Sequence, residues 1–169
     1  FFPETSAEDW APHKSWLKPL AMHPETEMLI LPIQSWLVRT RHHTILVDTC
    51  VGDDKKRERP HWHMKTGATF LARLADAGVN PEEVDFVMCT HLHADHVGWN
   101  TKQVNGEWVP TFANAQYLFA EREYKFWEEC QAKSDDPIMY GSHADSVLPV
   151  MASGQAKLID GAHEIATGL

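Results

Sequence analysis

A cluster of metal-binding residue types, directly after a short apolar run, constrains this chain more than any other feature. Residues 84–89 form a brief run typical of a strand, and after Thr90 the chain reads His91-Leu92-His93-Ala94-Asp95-His96. A catalytic zinc site uses about three His or carboxylate ligands and keeps one position open for water. The cluster supplies His91, His93, Asp95 and His96 as donors. A solvated histidine-rich loop is the alternative, and the complete string behind a strand weighs against it.

The spacing of the four donors predicts how they divide between metals. His91 and His93 stand two positions apart, so at the end of a strand they can point the same way and share one ion. Asp95 and His96 are adjacent and can turn toward a second ion. Two ions about 3.5–4 Å apart can hold a hydroxide between them and lower the pKa of the bound water from about 15.7 toward about 7. We therefore predict two Zn²⁺ ions, with Fe or Mn as alternatives, and a catalytic centre at His93 and Asp95, where Asp95 orients the water or shuttles its proton.

Apolar runs that alternate with amphipathic ones predict an α/β arrangement in which helices cover a sheet. The predicted strands are residues 28–38, 44–47, 84–89, 116–120 and 157–160, with a hairpin turn over residues 104–108. The predicted helices are residues 68–77, 121–131 and 142–151, with a short capped turn over residues 80–83.

The N-terminal segment has a different character. Residues 1–27 contain four prolines, which cannot donate ladder hydrogen bonds, and Trp10, Trp16 and Leu17, which need apolar contacts. We predict an irregular arm over residues 1–27 that wraps its own domain or a partner subunit, which makes a homodimer an expectation.

Three segments resemble the metallo-β-lactamase superfamily. Residues 90–98 (Thr-His-Leu-His-Ala-Asp-His-Val-Gly) resemble its metal loop, and residues 45–49 resemble its earlier strand, which ends in a buried Asp beneath the metals. Residues 112–117 resemble the segment that follows the metal loop in its lactonase and organophosphate-hydrolase branch. The resemblance runs from about residue 30 to the C-terminus. It implies an α/β (α+β) fold, the αββα sandwich, of which residues 28–169 supply about the first half.

The resemblance also implies the ligands. The first two donors of the cluster bind one metal, and the last two bind the other. The superfamily adds a third His, a bridging Asp and a last His from the second half of its fold. The late histidines His143 and His163 do not lie in the Gly-rich setting that the superfamily uses. We therefore expect the site to be completed by the C-terminal half of the domain, from a separate chain or from further residues.

Several activities are compatible with this resemblance. The leading hypothesis is a zinc-dependent hydrolase that uses a metal-bound hydroxide on a small ester-like substrate, most simply a lactone. Phosphotriester hydrolysis and hydrolytic aryl dehalogenation are alternatives, the latter because Gly98-Trp99-Asn100 resembles the chlorothalonil dehalogenase branch. The retained His91 favours a two-metal lactonase or esterase. In another class, the iron-dependent persulfide dioxygenases remain an alternative, whereas His93 argues against the di-iron oxygen reductases, which carry Glu there.

Composition excludes other classes of partner. With 15 Lys and Arg against 24 Asp and Glu, the formal charge is −9, and no basic stripe with interleaved aromatics is present, so nucleic acid is not expected. No apolar run approaches the length of a membrane span. The three cysteines, Cys50, Cys89 and Cys130, are widely spaced and form no CxxC pair, which fits a reducing, cytoplasmic compartment.

Further residues near the cluster have two interpretations each. Asp48, at a strand end, is either a carboxylate that orients a metal ligand or a turn residue, and the resemblance favours the former. Candidate pocket residues are His61, His63, Trp99, Trp108 and Phe112, for which exposed loop positions or core positions are the alternatives. Tyr124 and Trp127 stand at helical spacing, which favours the core.

Overall fold

The computed structural model describes residues 4–166, which divide into two compact units at Pro32 and Ile33. The first unit contains helix α1 (Ala7–Trp10), a 3₁₀ turn (Ala11–His13) and helix α2 (Lys14–Leu17). Glu27 forms ion pairs with Lys14 at 2.5 Å and with Lys18 at 2.7 Å, and these pairs join the region of α2 to residue 27. The predicted arm is therefore partly helical, its first three residues lie outside the described part, and its role as a wrapping arm stays a prediction.

The second unit is a five-stranded mixed sheet with helices and a separate hairpin, so the α/β prediction is confirmed. The sheet strands are β1 (Trp36–Arg39), β2 (Thr44–Val47), β3 (Phe86–Met88), β6 (Gln116–Ala120) and β7 (Ala156–Ile159), and the hairpin is β4 (Thr101–Val104) with β5 (Glu107–Pro110). The sheet order is β1-β2-β3-β6-β7, in which β1 and β2 are antiparallel and the other neighbours are parallel.

Helical segments connect the strands. The α-helices are α3 (Thr69–Asp76), α4 (Glu121–Ala132) and α5 (Leu148–Ala152), the last preceded by a π-helical stretch (His143–Val147). Short 3₁₀ segments cover Pro81–Glu83, Gly98–Asn100 and Ile138–Gly141. None of the helices between residues 4 and 166 is long and apolar enough to cross a bilayer.

Register fixes which face of the sheet forms the core. Leu37 pairs with Leu46, Leu46 with Val87, Val87 with Tyr117, and Tyr117 with Ala156. Residues in register across neighbouring strands share a face, so this row lies on one side of the sheet. The row belongs to the hydrophobic core or packs against it, together with side chains from α3, α4 and α5. The helices therefore cover this face.

The predicted first strand was too long. Residues 28–38 read as one apolar strand, yet β1 begins only at Trp36. Its partner β2 has 4 residues, and all 4 residues of β1 are used in pairing with it. Met28, Leu31 and Ile33 are exposed instead. Pro32 also lacks the N–H that a continuous ladder would need.

The parallel strands bring chemically useful residues to one edge. Asp48 follows the carboxyl end of β2, the histidine cluster follows that of β3, and Glu123 lies in the first turn of α4 after β6. Carboxyl ends of parallel strands meet at the same edge, where α/β proteins bind ligands. The sheet thus places segments 48–53, 90–100 and 121–127 side by side.

Candidate metal centre

The histidines of the cluster come together in the loop after β3. The ring centroid of His91 lies 3.9 Å from that of His96 and 4.5 Å from that of His93. Asp95 reaches the same place, because its Oδ2 is 3.6 Å from Nε2 of His96. The structure therefore brings the four predicted donors into one group.

Asp48 supports this group through contacts with Thr90 and His96. Its buried carboxylate accepts the Thr90 N–H at 2.8 Å and the Thr90 hydroxyl at 2.8 Å, and its Oδ2 lies 2.8 Å from Nδ1 of His96. Its backbone has a left-handed φ of 60°, and the Ser35 hydroxyl donates to its carbonyl at 2.6 Å. Non-glycine residues whose backbone is held in the left-handed region are concentrated at functional sites. With Nδ1 engaged, Nε2 of His96 is the nitrogen left for a metal.

Thr90 and Glu123 also support the loop, and sequence reasoning missed both. Glu123 accepts the backbone N–H of Leu92 at 3.2 Å and the indole N–H of Trp127 at 2.8 Å. The Trp127 ring packs edge-on against His93 at a centroid distance of 5.6 Å. Trp127 therefore packs against the core, as predicted, and also against a metal-loop histidine. The spacing of Glu123 and Trp127 on one helix face was a signal, but nothing in the sequence tied that face to the loop.

The loop after β2 packs tightly under the metal loop. The Thr49 N–H donates to the His96 carbonyl at 2.6 Å, and the Gly98 N–H donates to the Cys50 carbonyl at 2.7 Å. A Cβ on Gly98 would stand 1.8 Å from the Val51 carbonyl carbon, so only glycine fits there. The glycine that follows the histidine cluster is thus required by close backbone approach.

Burial and neighbouring charges set the protonation of the site. Burial lowers the pKa of His91, and the nearby His96 and His93 lower it further. This favours neutral imidazole, the form that binds metals. Burial raises the pKa of the Cys50 thiol to about 11 and that of Cys89 to about 12, with the charge of Asp48 adding to both. The two cysteines are therefore protonated thiols near neutral pH.

The donor set fits a divalent metal in its chemistry. Three imidazoles and a carboxylate are the ligand types that zinc accepts, and the Asp48 contact is the kind of support that metal-binding histidines usually have. Within residues 4–166, no group of three or more His, Cys, Asp or Glu side chains is arranged to hold a metal.

The candidate pocket residues separate into three groups. His61 and Trp99 line a cavity of about 340 Å³ that also includes Cys50. His63 and Trp108 line another of about 680 Å³. Phe112 is fully buried and belongs to the hydrophobic core. Its backbone N–H donates to the Tyr117 hydroxyl on β6 at 3.1 Å. The core interpretation therefore holds for Phe112, and the pocket interpretation is wrong for it.

Comparison with known proteins places this geometry in a family. Residues 30–150 match the sequence pattern of the Metallo-beta-lactamase superfamily. The chain is similar to an N-acyl homoserine lactonase from Bacillus sp., with 23% identity over 154 residues that cover 85% of this chain and 53% of that protein.

Solved structures show the same fold. A probable metal-dependent hydrolase from Staphylococcus aureus superposes with a TM-score of 0.69 at 20% identity, over 98% of this chain and 55% of its own. AidC, a dizinc quorum-quenching lactonase in complex with a product, superposes with a TM-score of 0.58 at 20% identity, over 79% of this chain and 45% of its own. The chain spans about half the length of the relatives that it matches.

Proposed function

Because the chain belongs to the metallo-beta-lactamase superfamily, we propose that the protein is a zinc-dependent hydrolase of a small ester-like substrate, with a lactone as the first choice. The observation that carries the proposal is the contact of 2.8 Å between Asp48 Oδ2 and His96 Nδ1, with Asp95 near Nε2 of the same ring, His91 beside that ring and His93 beside His91. A carboxylate–histidine pair of this kind orients metal ligands. The similarity to lactonases supports the choice of substrate class.

The chain's own residues have distinct roles in this proposal. His91 and His93 would hold one metal, and Asp95 and His96 would hold the other. Divalent metals supply a lowered water pKa and polarise a substrate carbonyl. Asp95, partly exposed beside His96, has a carboxylate that can accept a proton or orient water. Trp127 shields one side of His93 from solvent.

The experiment removes metal from the purified protein, restores Zn²⁺, Fe²⁺ or Mn²⁺ separately, and assays each form. The substrates are an acyl homoserine lactone, an aryl acetate, a phosphotriester and an aryl chloride. We expect Zn²⁺ to restore lactone hydrolysis. The variant His93→Ala should lose nearly all turnover, whereas His42→Ala, at an exposed position in the β1–β2 turn, should keep it.

Other outcomes would replace the proposal. Persulfide-dependent oxygen uptake that is restored by iron alone would identify a dioxygenase and overturn it. Release of chloride without lactone turnover would identify an aryl dehalogenase. That activity is the second candidate, because Trp99 and Phe70 stack at 5.9 Å in the cavity beside the loop and would suit an aromatic substrate.

A further inference from the structure

Two cavities of the second unit adjoin and share part of their lining. One has a volume of about 340 Å³ and the other about 290 Å³. Ile33, Cys50, Phe70 and Arg73 line both of them. The two adjoining cavities are together called the Arg73 groove, because Arg73 lines both of them.

The Arg73 groove adjoins the metal loop through Trp99 and through the loop after β2. Its wall residue Trp99 follows His96 by three positions, and the Trp99 N–H donates to the Thr49 carbonyl at 2.9 Å. Cys50, which the two cavities share, receives the Gly98 N–H on its carbonyl. Asp48 and Asp95 are close enough for their charges to raise the pKa of the Cys50 thiol. A molecule in the groove thus lies next to the metal loop.

Flat aromatic side chains line one half of the groove. Phe70 and Trp99 are stacked with ring centroids 5.9 Å apart and an angle of 15° between planes, and Trp62 lines the same cavity. Leu37, Leu46 and Leu74 line the other half. Such walls favour an apolar ligand group, and aromatic faces favour a planar one.

Arg73 is the cation that the two halves share, and its side chain has no ion pair or hydrogen bond to another residue between 4 and 166. Among the described lining residues, Asp53 is the acidic one, and its Oδ2 already accepts the Ala68 N–H at 2.7 Å. Lys65 and His61 lie in the same cavity as Asp53. The groove therefore combines apolar walls with an excess of positive charge.

We propose that the Arg73 groove binds the non-reacting part of the substrate, and that this part is a planar apolar group carrying a carboxylate that Arg73 recognises. A guanidinium can pair with both oxygens of a carboxylate, and it keeps its charge at every relevant pH. Resting on the proposed function, this narrows the substrate to an anionic ester or lactone and makes Arg73 a specificity-determining residue.

Binding can be measured without turnover. The intact protein, with and without Zn²⁺, is titrated with naphthalene-2-carboxylate and with its neutral carboxamide, and binding is followed by tryptophan fluorescence and calorimetry. We expect the carboxylate to bind about tenfold more tightly, as a charge-assisted hydrogen bond provides. Arg73→Met should remove this preference. Arg122→Met, which removes an exposed arginine on α4, should preserve it.

Measurement of hydrolysis provides a second, independent test of the groove proposal. The Zn²⁺-loaded protein is assayed with 4-acetoxybenzoate and with its neutral methyl ester. Arg73→Met should raise KM about tenfold for the anionic ester, leave KM for the neutral one within about twofold, and leave kcat for both unchanged. Equal binding of carboxylate and carboxamide, or equal losses in Arg73→Met and Arg122→Met, would overturn the groove proposal. Absence of all ester turnover would instead refute the proposed function, while the titrations still decide the groove.

Discussion

At the scale of single residues, the Asp48 carboxylate contacts both Thr90 and His96. It anchors the metal loop through Thr90 and holds Nδ1 of His96 at 2.8 Å. Both contacts use its negative charge and its acceptor oxygens. The residue therefore links the position of the loop to the orientation of one ligand ring, which is why a strained backbone at φ 60° is tolerated there.

Replacing this carboxylate should weaken metal binding. Asp48→Asn keeps the shape but removes the charge that favours a donating His96 Nδ1–H and the two bonds from Thr90. We expect the zinc affinity to fall by about 10–100-fold, measured by competition with a chromophoric chelator. Asp76→Asn, at an exposed position of α3, is the matched control. Equal affinities in the two variants would mean that Asp48 does not orient a ligand.

Lys55 is a second unusual residue, because its charged side chain is fully buried. Its Nζ lies 2.8 Å from Thr101 Oγ1 and 3.7 Å from the centroid of the Trp108 ring. The Asp145 carboxylate forms ion pairs with Lys55 at 3.4 Å and with Arg57 at 2.7 Å. Burial lowers the pKa of Lys55 to about 8. The negative charges of Asp145 and Asp54 oppose this shift, and the positive charge of Arg57 adds to it.

This shift predicts how stability depends on pH. An unfolded lysine releases its proton near pH 10.4, whereas Lys55 in the folded protein releases it near pH 8. Between these values the unfolded state binds more protons, so the free energy of unfolding gains a contribution that rises with pH. Relative to Lys55→Met, the wild type should gain about 2 kcal/mol between pH 8 and pH 10 in urea unfolding.

The pH series has an internal control. Below about pH 7 Lys55 is protonated in both the folded and the unfolded state, so the difference in unfolding free energy between wild type and Lys55→Met should be constant there. Lys133→Met removes an exposed lysine and should follow the wild-type profile throughout. Parallel profiles for Lys55→Met and wild type up to pH 10 would contradict a lowered pKa.

At the scale of elements, the site depends on two loops that touch through their backbones. The Gly98 N–H meets the Cys50 carbonyl, and a Cβ on Gly98 would stand 2.3 Å from the Gly52 nitrogen. The loops after β2 and β3 can therefore approach only because this position has no side chain.

Gly98→Ala should consequently separate the loops. We expect a loss of about 3 kcal/mol or more in unfolding free energy, together with weaker metal binding, because the clash involves backbone atoms on both sides. Gly106→Ala, in the β4–β5 turn, has φ +88° and nothing within 4 Å of its new Cβ, and should cost about 1 kcal/mol from backbone strain alone. Similar losses for the two variants in urea unfolding would show that the loops can move apart freely.

The elements also show what the sequence could predict. The strand before the cluster and helices α3 and α4 follow from local periodicity, and the donors stand within one short string. The length of β1 does not follow from local periodicity, because it is set by the partner strand β2. Glu123 and the Gly98 contact were also missed, since both join segments that only the parallel order of β2, β3 and β6 brings together. Phe112 could not be assigned, because an aromatic residue suits a pocket wall and a core equally.

At the scale of the whole molecule, the second unit has a sheet with two different faces. One face carries the row from Leu37 to Ala156 beneath the helices. In register on the opposite face, Trp36 pairs with Val47 and Val38 pairs with Ile45, so apolar side chains continue there. On the edge strand β1, Trp36 is 61% exposed and Val38 is 42% exposed. Exposed apolar side chains on an edge strand are the kind of surface through which proteins associate, so we expect this face to promote association.

Making this edge polar should reduce association without unfolding the protein. In Trp36→Ser with Val38→Thr, we expect less binding of a hydrophobic dye and a larger monomer fraction in sedimentation, because both side chains already contact solvent. The free energy of unfolding should change by only about 1 kcal/mol, since little buried area is lost. Phe126→Ser, which removes a 53% exposed aromatic on α4, tests whether any exposed aromatic has this effect. If Phe126→Ser lowers association as much as the double variant does, the sheet face is not the surface responsible.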